Sequence, residues 1–200
     1  MKTLLIIIAI LLTVSCSTDD TPSQESLLPP ITMTGENTFG CLIDGKFFRP
    51  RDGTGTFNSE DRGLKVIGGG NQSIEFDATD FKSNKTASIL IHLEDLIQTG
   101  EGSYRLDSSN GLRGLDGNSN NYMHCIIWDD NLQSYQQYLS YDESGIVLIT
   151  KLDVIQNVQT IWSGTFQGSL VRFDNRNDTI RVSLGRFDLK TPQLSSVSFP

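Results

Sequence analysis

Histidine, cysteine and tryptophan are scarce in this chain, and each scarcity closes off a class of chemistry. There are two histidines (His92, His124), three cysteines (Cys16, Cys41, Cys125) and two tryptophans in 200 residues. No Cys-x-x-Cys and no pair of histidines at ligand spacing occurs, so a structural zinc site has nothing to build on. His124 is next to Cys125, but neighbours on a strand point to opposite faces, so the two cannot readily share one ligand site. The Gly-x-Ser-x-Gly elbow of serine hydrolases is absent. A phosphate-binding loop and a dinucleotide fingerprint are absent too, since Gly68-Gly69-Gly70 precedes a strand pattern and not a helix. Basic residues are the minority, 16 against 24 acidic, for a net charge of −8. That balance argues against nucleic acid and against anionic lipid surfaces as partners.

Long apolar runs are also lacking, with one exception at the start. Leu4 to Leu12 is unbroken, Lys2 precedes it, and Thr13, Val14 and Ser15 lead into Cys16. A run this short cannot span a bilayer as a helix, and the pattern is that of a lipoprotein signal peptide over 1–15, cleaved before a lipidated Cys16. Thr13 stands where leucine is usual. Residues 1–15 carry Lys2 and no acid, so their removal takes the net charge from −8 to −9. Acyl chains contribute roughly 0.8 kcal/mol per buried CH₂, and several together make attachment stable without a membrane-binding surface on the domain. Residues 16–35, with Asp19, Asp20, Pro22, Pro29 and Pro30, have too little apolar surface to fold and are expected to be a flexible tether.

Residues 36–200 are expected to form one domain. Asp44-Gly45 between Phe39–Ile43 and Lys46–Arg49 is a two-residue hairpin signal. Ile74, Phe76 and Ala78 alternate with Ser73, Glu75 and Asp77, the period of a half-buried strand, and in the next strand, Lys85–Leu93, Ile89, Ile91 and Leu93 share one face and Leu90 and His92 the other. Tyr122–Trp128 reads as a strand buried on both faces, and 107–121 as a long polar loop. Ile146–Leu152, Val158–Phe173 and the Ile180–Leu189 stretch, joined by short polar turns, predict an antiparallel meander, with bends at Gly164, Gly168 and Gly185. Outside the signal peptide no 3.6-residue apolar period is sustained, apart from a few helical residues near 94–98. The expected fold is all-β, an antiparallel sandwich or flattened barrel of about ten strands.

Four groups of residues could carry function or covalent structure. Cys41 and Cys125, 84 positions apart, are either a disulfide of an oxidising compartment or two buried thiols. Asp116-Gly117-Asn118-Ser119-Asn120 mimics the start of a calcium loop, but Asn121 and Ile127 stand where such a loop needs Gly and Glu, so an ordinary polar loop is expected and no metal is assigned. The carboxylate pairs Asp129/Asp130 and Asp174/Asp178 sit in turns, where Asp is favoured for backbone bonding, and no catalytic residue is assigned. Trp128, Tyr135, Tyr138 and Tyr141 form an aromatic-rich stretch that could contact a glycan or peptide, or pack across strands.

The segment Pro30-Ile31-Thr32-Met33-Thr34-Gly35-Glu36-Asn37-Thr38-Phe39-Gly40-Cys41-Leu42-Ile43-Asp44-Gly45-Lys46 resembles the opening motif of a family of uncharacterised Bacteroidota lipoproteins. Its C-terminal end resembles Thr150–Asp153, Gly164-Thr165-Phe166 and Gly185-Arg186-Phe187-Asp188. Residues 50 to 140 show no such likeness. The acidic stretch after Cys16 resembles the surface-export signal of lipoproteins from that group. The resemblance implies a lipid-anchored all-β domain at the outer membrane, at the cell surface in preference to the periplasmic face, and brings no catalytic residues or cofactor. The expected role is non-enzymatic, structural or in interaction with a glycan or protein partner, with a small-ligand or glycan-binding module as the alternative and a hydrolase as the least favoured reading.

Overall fold

The computed structural model describes residues 22–55, 57, 60–69, 72–155 and 159–192. The expected signal peptide, 1–15, and Cys16 lie outside the described residues. Eleven strands are present among those described: β1 (Thr38–Ile43), β2 (Lys46–Phe48), β3 (Leu64–Gly68), β4 (Ile74–Thr79), β5 (Ser88–Leu93), β6 (Gly102–Leu106), β7 (Tyr122–Asp129), β8 (Ser134–Leu139), β9 (Gly145–Ile155), β10 (Gln159–Arg172) and β11 (Asn175–Thr191). One helical turn, Leu96–Thr99, follows β5.

All strand pairs are antiparallel, in the order β2-β1-β11-β10-β8-β7-β5-β4-β3. Strand β10 is long enough to serve two neighbours along one edge. Its Gln159–Gly168 half pairs with β9, which carries β6, and Val171 and Arg172 pair with β8. The β9-β10-β11 meander is the one expected from the sequence, except that β9 runs on to Ile155 and β11 already begins at Asn175, so that Asp178 lies in a strand and not in the expected 174–178 turn. The sheet is not closed into a barrel. It folds over on itself, so that Phe76 of β4 meets Trp162 of β10 at 6.0 Å and Phe187 of β11 at 4.8 Å between ring centroids. Phe39, Phe166 and Met123 complete this sandwich core. A single parallel bridge between Arg51 and Asp80 joins the chain after β2 to the end of β4.

Local chemistry explains the bends. Asp44 and Gly45 both have positive φ, 47° and 75°, as the two-residue hairpin requires. The β11 bulge falls at Ser183–Gly185, where pairing slips relative to both β1 and β10. A Cβ on Gly185 would stand 2.5 Å from the Phe166 ring. Tyr122–Trp128 departs from expectation in its second half: Tyr122–Cys125 is buried on both faces, while Ile126 is exposed.

The described part of the expected tether, 22–35, is not free. It is laid as a strap across β2, β1 and β11. Gln24 accepts the Phe47 amide at 2.9 Å, Pro29 sits over Gly40, and Arg186 donates to the Pro29 carbonyl at 3.2 Å. At the end of the strap the carboxylate of Asp188, 1 % exposed, takes the Thr32 hydroxyl (2.7 Å) and the amides of Thr34 (3.0 Å), Gly35 (2.9 Å) and Glu36 (3.1 Å). Apart from one 3-10 turn at Gln24–Leu27, capped by Ser23, the strap is irregular, and it docks through side chains and through the backbone amides of Thr34–Glu36.

Candidate functional site

A cleft of about 660 Å³ opens where β2 and the chain after it approach β5 and β7. The Asp44-Gly45 turn and the Arg51–Asp80 bridge set its walls. Phe47 and Trp128 give it ring surface, and Leu27 of the strap lines it as well. Its charged residues are four cations, Lys46, Arg49, Arg51 and Lys85, and three acids, Asp44, Asp80 and Asp130. These charges are largely spent on one another. The Arg51 guanidinium holds Asp80 with two bonds, Nε–Oδ1 2.7 Å and Nη2–Oδ2 2.6 Å. Lys85 pairs with Asp130, and Asp130 also accepts the Trp128 indole N–H at 3.2 Å. The Lys85 ammonium first, and the indole less, hold the Asp130 carboxyl below its usual range. The indole plane is thereby fixed by its own N–H, with the edge of Tyr135 against it at 5.2 Å and 79°. The wall thus combines aromatic faces with neutralised, planar hydrogen-bonding groups.

A second polar cluster lies on the outer face of β4, β5 and β7, beneath the 107–121 loop. Cross-strand pairing sets Glu75 beside His92, and His92 beside Tyr122. Glu75 Oε1 accepts from His92 Nδ1 (3.2 Å), the Gly114 amide (2.7 Å) and the Tyr122 hydroxyl (3.3 Å). His92 Nε2 bonds Glu94 at 3.1 Å, and its ring stacks on Tyr122 at 4.5 Å. Arg113 spans from Asp77 (2.9 Å) toward Glu75. Burial opposes both charges of the Glu75–His92 pair, yet the bonds between them and from Gly114 and Glu94 outweigh it. The Glu75 carboxyl is held low and the His92 imidazole is held high. With both ring nitrogens committed to carboxylates, His92 offers no free nitrogen as a base, and the cluster acts as a latch for the loop. His124, 8 % exposed, differs: burial lowers its pKa to about 4, and its Nε2 has no partner among the described residues.

The residues singled out from the sequence separate here. Of the four aromatics, Trp128 lines the cleft and Tyr135 packs on it. Tyr138 does not join them. It is buried in the core, paired with Cys125 across β7–β8, with its hydroxyl near Asp178. Tyr141 is exposed in the β8–β9 turn, where its amide donates to Ser144 Oγ, and it does not line the cleft. Cys41 and Cys125 are buried free thiols and not a disulfide, so the thiol reading is the one the structure holds. Burial raises both, and for Cys41 the neighbouring Cys125 adds to it. As expected from strand parity, His124 and Cys125 face opposite ways. In the calcium-like stretch, Asn118 and Asn120 turn their amides to the Ser108 carbonyl, closing the loop on itself. Phe47, Arg51, Asp80 and Lys85 were not singled out, because the residues that form this wall are distant in sequence. Of the cleft residues, Trp128 was marked from the sequence as a ligand contact, and Asp44 and Asp130 only as turn residues. Comparisons with models of protein families, with curated proteins and with solved structures found no match.

Proposed function

We propose that this protein is a lipid-anchored, non-enzymatic binding domain of the outer membrane, displayed at the cell surface, and that the Trp128 cleft takes a saccharide. The anchor rests on Leu4–Leu12 and Cys16, and no described helix is long and apolar enough to cross a membrane. Membership in the lipoprotein family that the Pro30–Lys46 segment resembles belongs to the same proposal. The observation that carries the ligand is the cleft wall, in which a fixed indole stands beside paired carboxylates and cations. Sugar rings present C–H faces that pack on aromatic planes, and vicinal hydroxyls that suit planar charged groups. A near-neutral lining of one net positive charge suits a neutral or weakly acidic glycan.

The test is a calorimetric titration of the domain from Pro22 onward against neutral and uronic-acid oligosaccharides, with Trp128→Ala beside the parent. Removal of the indole should weaken binding about tenfold or more, since a stacked aromatic contributes roughly 1–2 kcal/mol. Binding that survives unchanged in Trp128→Ala, or silence across the panel for the parent, overturns the saccharide reading.

A further inference from the structure

Strand β9 breaks the alternation that a solvated sheet face requires. Val147 and Ile149 point into the core, yet Ile146 and Leu148 on the other face are apolar too, at 37 % and 39 % exposed. Outer strands of a two-layer sandwich ordinarily alternate apolar and polar. Beside them Leu184 is exposed with φ 53°, a left-handed conformation that costs a leucine roughly 1–2 kcal/mol. Ile31 of the strap is exposed next to it. These four side chains line one groove of about 340 Å³ together with Arg186. An adjoining groove shares Ile146 and Gln167 with it and adds Arg181. No acidic residue lines either groove, in a chain of net charge −8. At the rim Arg105 is paired with Glu143.

We propose that this outer face of β9, β10 and β11 is a membrane-apposition surface, with Ile31, Ile146, Leu148 and Leu184 entering the lipid interface and Arg181 and Arg186 on anionic headgroups. The proposal rests on the lipid-anchor reading above. Chain length favours lipid as the occupant. Cys16 is six residues from Pro22, and those residues span at most about 20 Å. The strap is bonded to the domain from Gln24, two residues further on, so the anchor holds the domain within about 29 Å of the bilayer. The negative charge of the whole chain opposes adsorption of a free domain. Once the anchor is inserted, contact of this face is intramolecular, and a modest apolar patch suffices.

The lipidated protein is placed in phosphatidylethanolamine/phosphatidylglycerol vesicles with brominated acyl chains, and tryptophan quenching is read for Leu148→Trp and Ile126→Trp against the parent. Ile126 is exposed on β7, away from the groove. The expected result is that the added emission of Leu148→Trp is roughly halved while that of Ile126→Trp is not. Equal quenching at both positions, or none at 148, overturns the proposal. Equal quenching of Leu148→Trp in phosphatidylcholine vesicles overturns the headgroup contribution of the two arginines. Should the protein fail to float with vesicles, the anchor reading fails, and Cys16 is then coupled to a maleimide lipid, the other two thiols being buried. The same quenching contrast then decides the surface with the anchor supplied.

Discussion

Asp188 and Gly35, 153 positions apart, are joined by a 2.9 Å bond from the Gly35 amide to Asp188 Oδ1. The Ser163 hydroxyl reaches the same oxygen at 2.7 Å, and Oδ2 collects Thr32, Thr34 and Glu36. Gly35 has φ 81° and its absent Cβ would stand 2.8 Å from Lys190, while Asn37 has φ 58° and accepts the Lys190 amide. The opening motif is therefore the plug, and Asp188 is the socket. Burial raises the Asp188 carboxyl, and these donors together more than offset it, leaving the group below its ordinary range.

Asp188→Asn should destabilise the domain by about 2–4 kcal/mol, because an amide turns a donor toward groups that are themselves donors. For a chain of this size that lowers Tm by roughly 5–10 °C. The depressed carboxyl stabilises fully above the unfolded value of about 3.9, and that stabilisation is lost as pH falls below it through the folded value. Limited proteolysis should cut the strap of the parent faster only below about pH 4, whereas the Asn variant should be cut readily at neutral pH. Identical cleavage of the two at pH 7 counts against the socket.

The two core thiols make a second, simpler prediction. Cys41 and Cys125 are unbonded, buried and held well above the ordinary thiol range by desolvation. A thiolate is the reactive species, so native protein should react negligibly with a thiol reagent at neutral pH. Unfolded domain lacking Cys16 should titrate two thiols without reductant, and reductant should leave Tm unchanged. Cys125→Ser should cost about 1–3 kcal/mol, the penalty for a buried hydroxyl lacking a partner.

Acid sensitivity should separate the two histidines. His124 is driven down to about 4 by burial, from an unfolded value near 6.5. Its folded form binds fewer protons than the unfolded chain between those values, so it withdraws stability as pH falls from about 6.5 to 4, about 3 kcal/mol in all. His92 is raised by Glu75 and Glu94 against the opposing effect of burial. Its contribution is complete below about 6.5 and is lost as pH rises through its folded value. Denaturant unfolding at a series of pH values should therefore show His124→Gln losing much of the acid-side decline, and His92→Gln losing stability mainly near and below neutrality. A parent-like slope between pH 6.5 and 4 in His124→Gln sinks the first half.

Much of the architecture was legible because it is written in local periods. Ile74-Phe76-Ala78 and Ile89-Ile91-Leu93 alternate, and Asp44-Gly45 turns, without reference to any distant residue. The meander was legible because its partners are sequential. The same alternation put Glu75 on the open face of a half-buried strand, whereas Gly114 and Arg113 cover it, brought over by a loop whose own composition is that of any surface loop. Tyr138 illustrates the converse. Its neighbours suggested an aromatic surface, but register opposite Cys125 places it inside. The cleft was the least legible feature, because Arg51 meets Asp80 only after the sheet folds over, and no spacing in the chain encodes that closure.

Arg51 is where stability and the proposed binding function can be told apart. Its two bonds to Asp80 close the wall of the Trp128 cleft, and Asp80 Oδ1 also accepts the amides of Lys82 and Ser83. The side-chain hydrogen bond to Asp80 raises the guanidinium pKa further, against a smaller opposing effect of burial. The pair is partly exposed, with the Arg51 side chain 31 % accessible, so screening limits what it contributes. Arg51→Ala should cost only about 1–2 kcal/mol. Arg51→Lys should recover part of that stability but not the planar two-bond clasp, which an ammonium cannot make. If the clasp shapes the ligand wall, saccharide affinity should stay low in Arg51→Lys even as its Tm returns toward that of the parent. Recovery of affinity in step with Tm would reduce Arg51 to a structural residue of the seam.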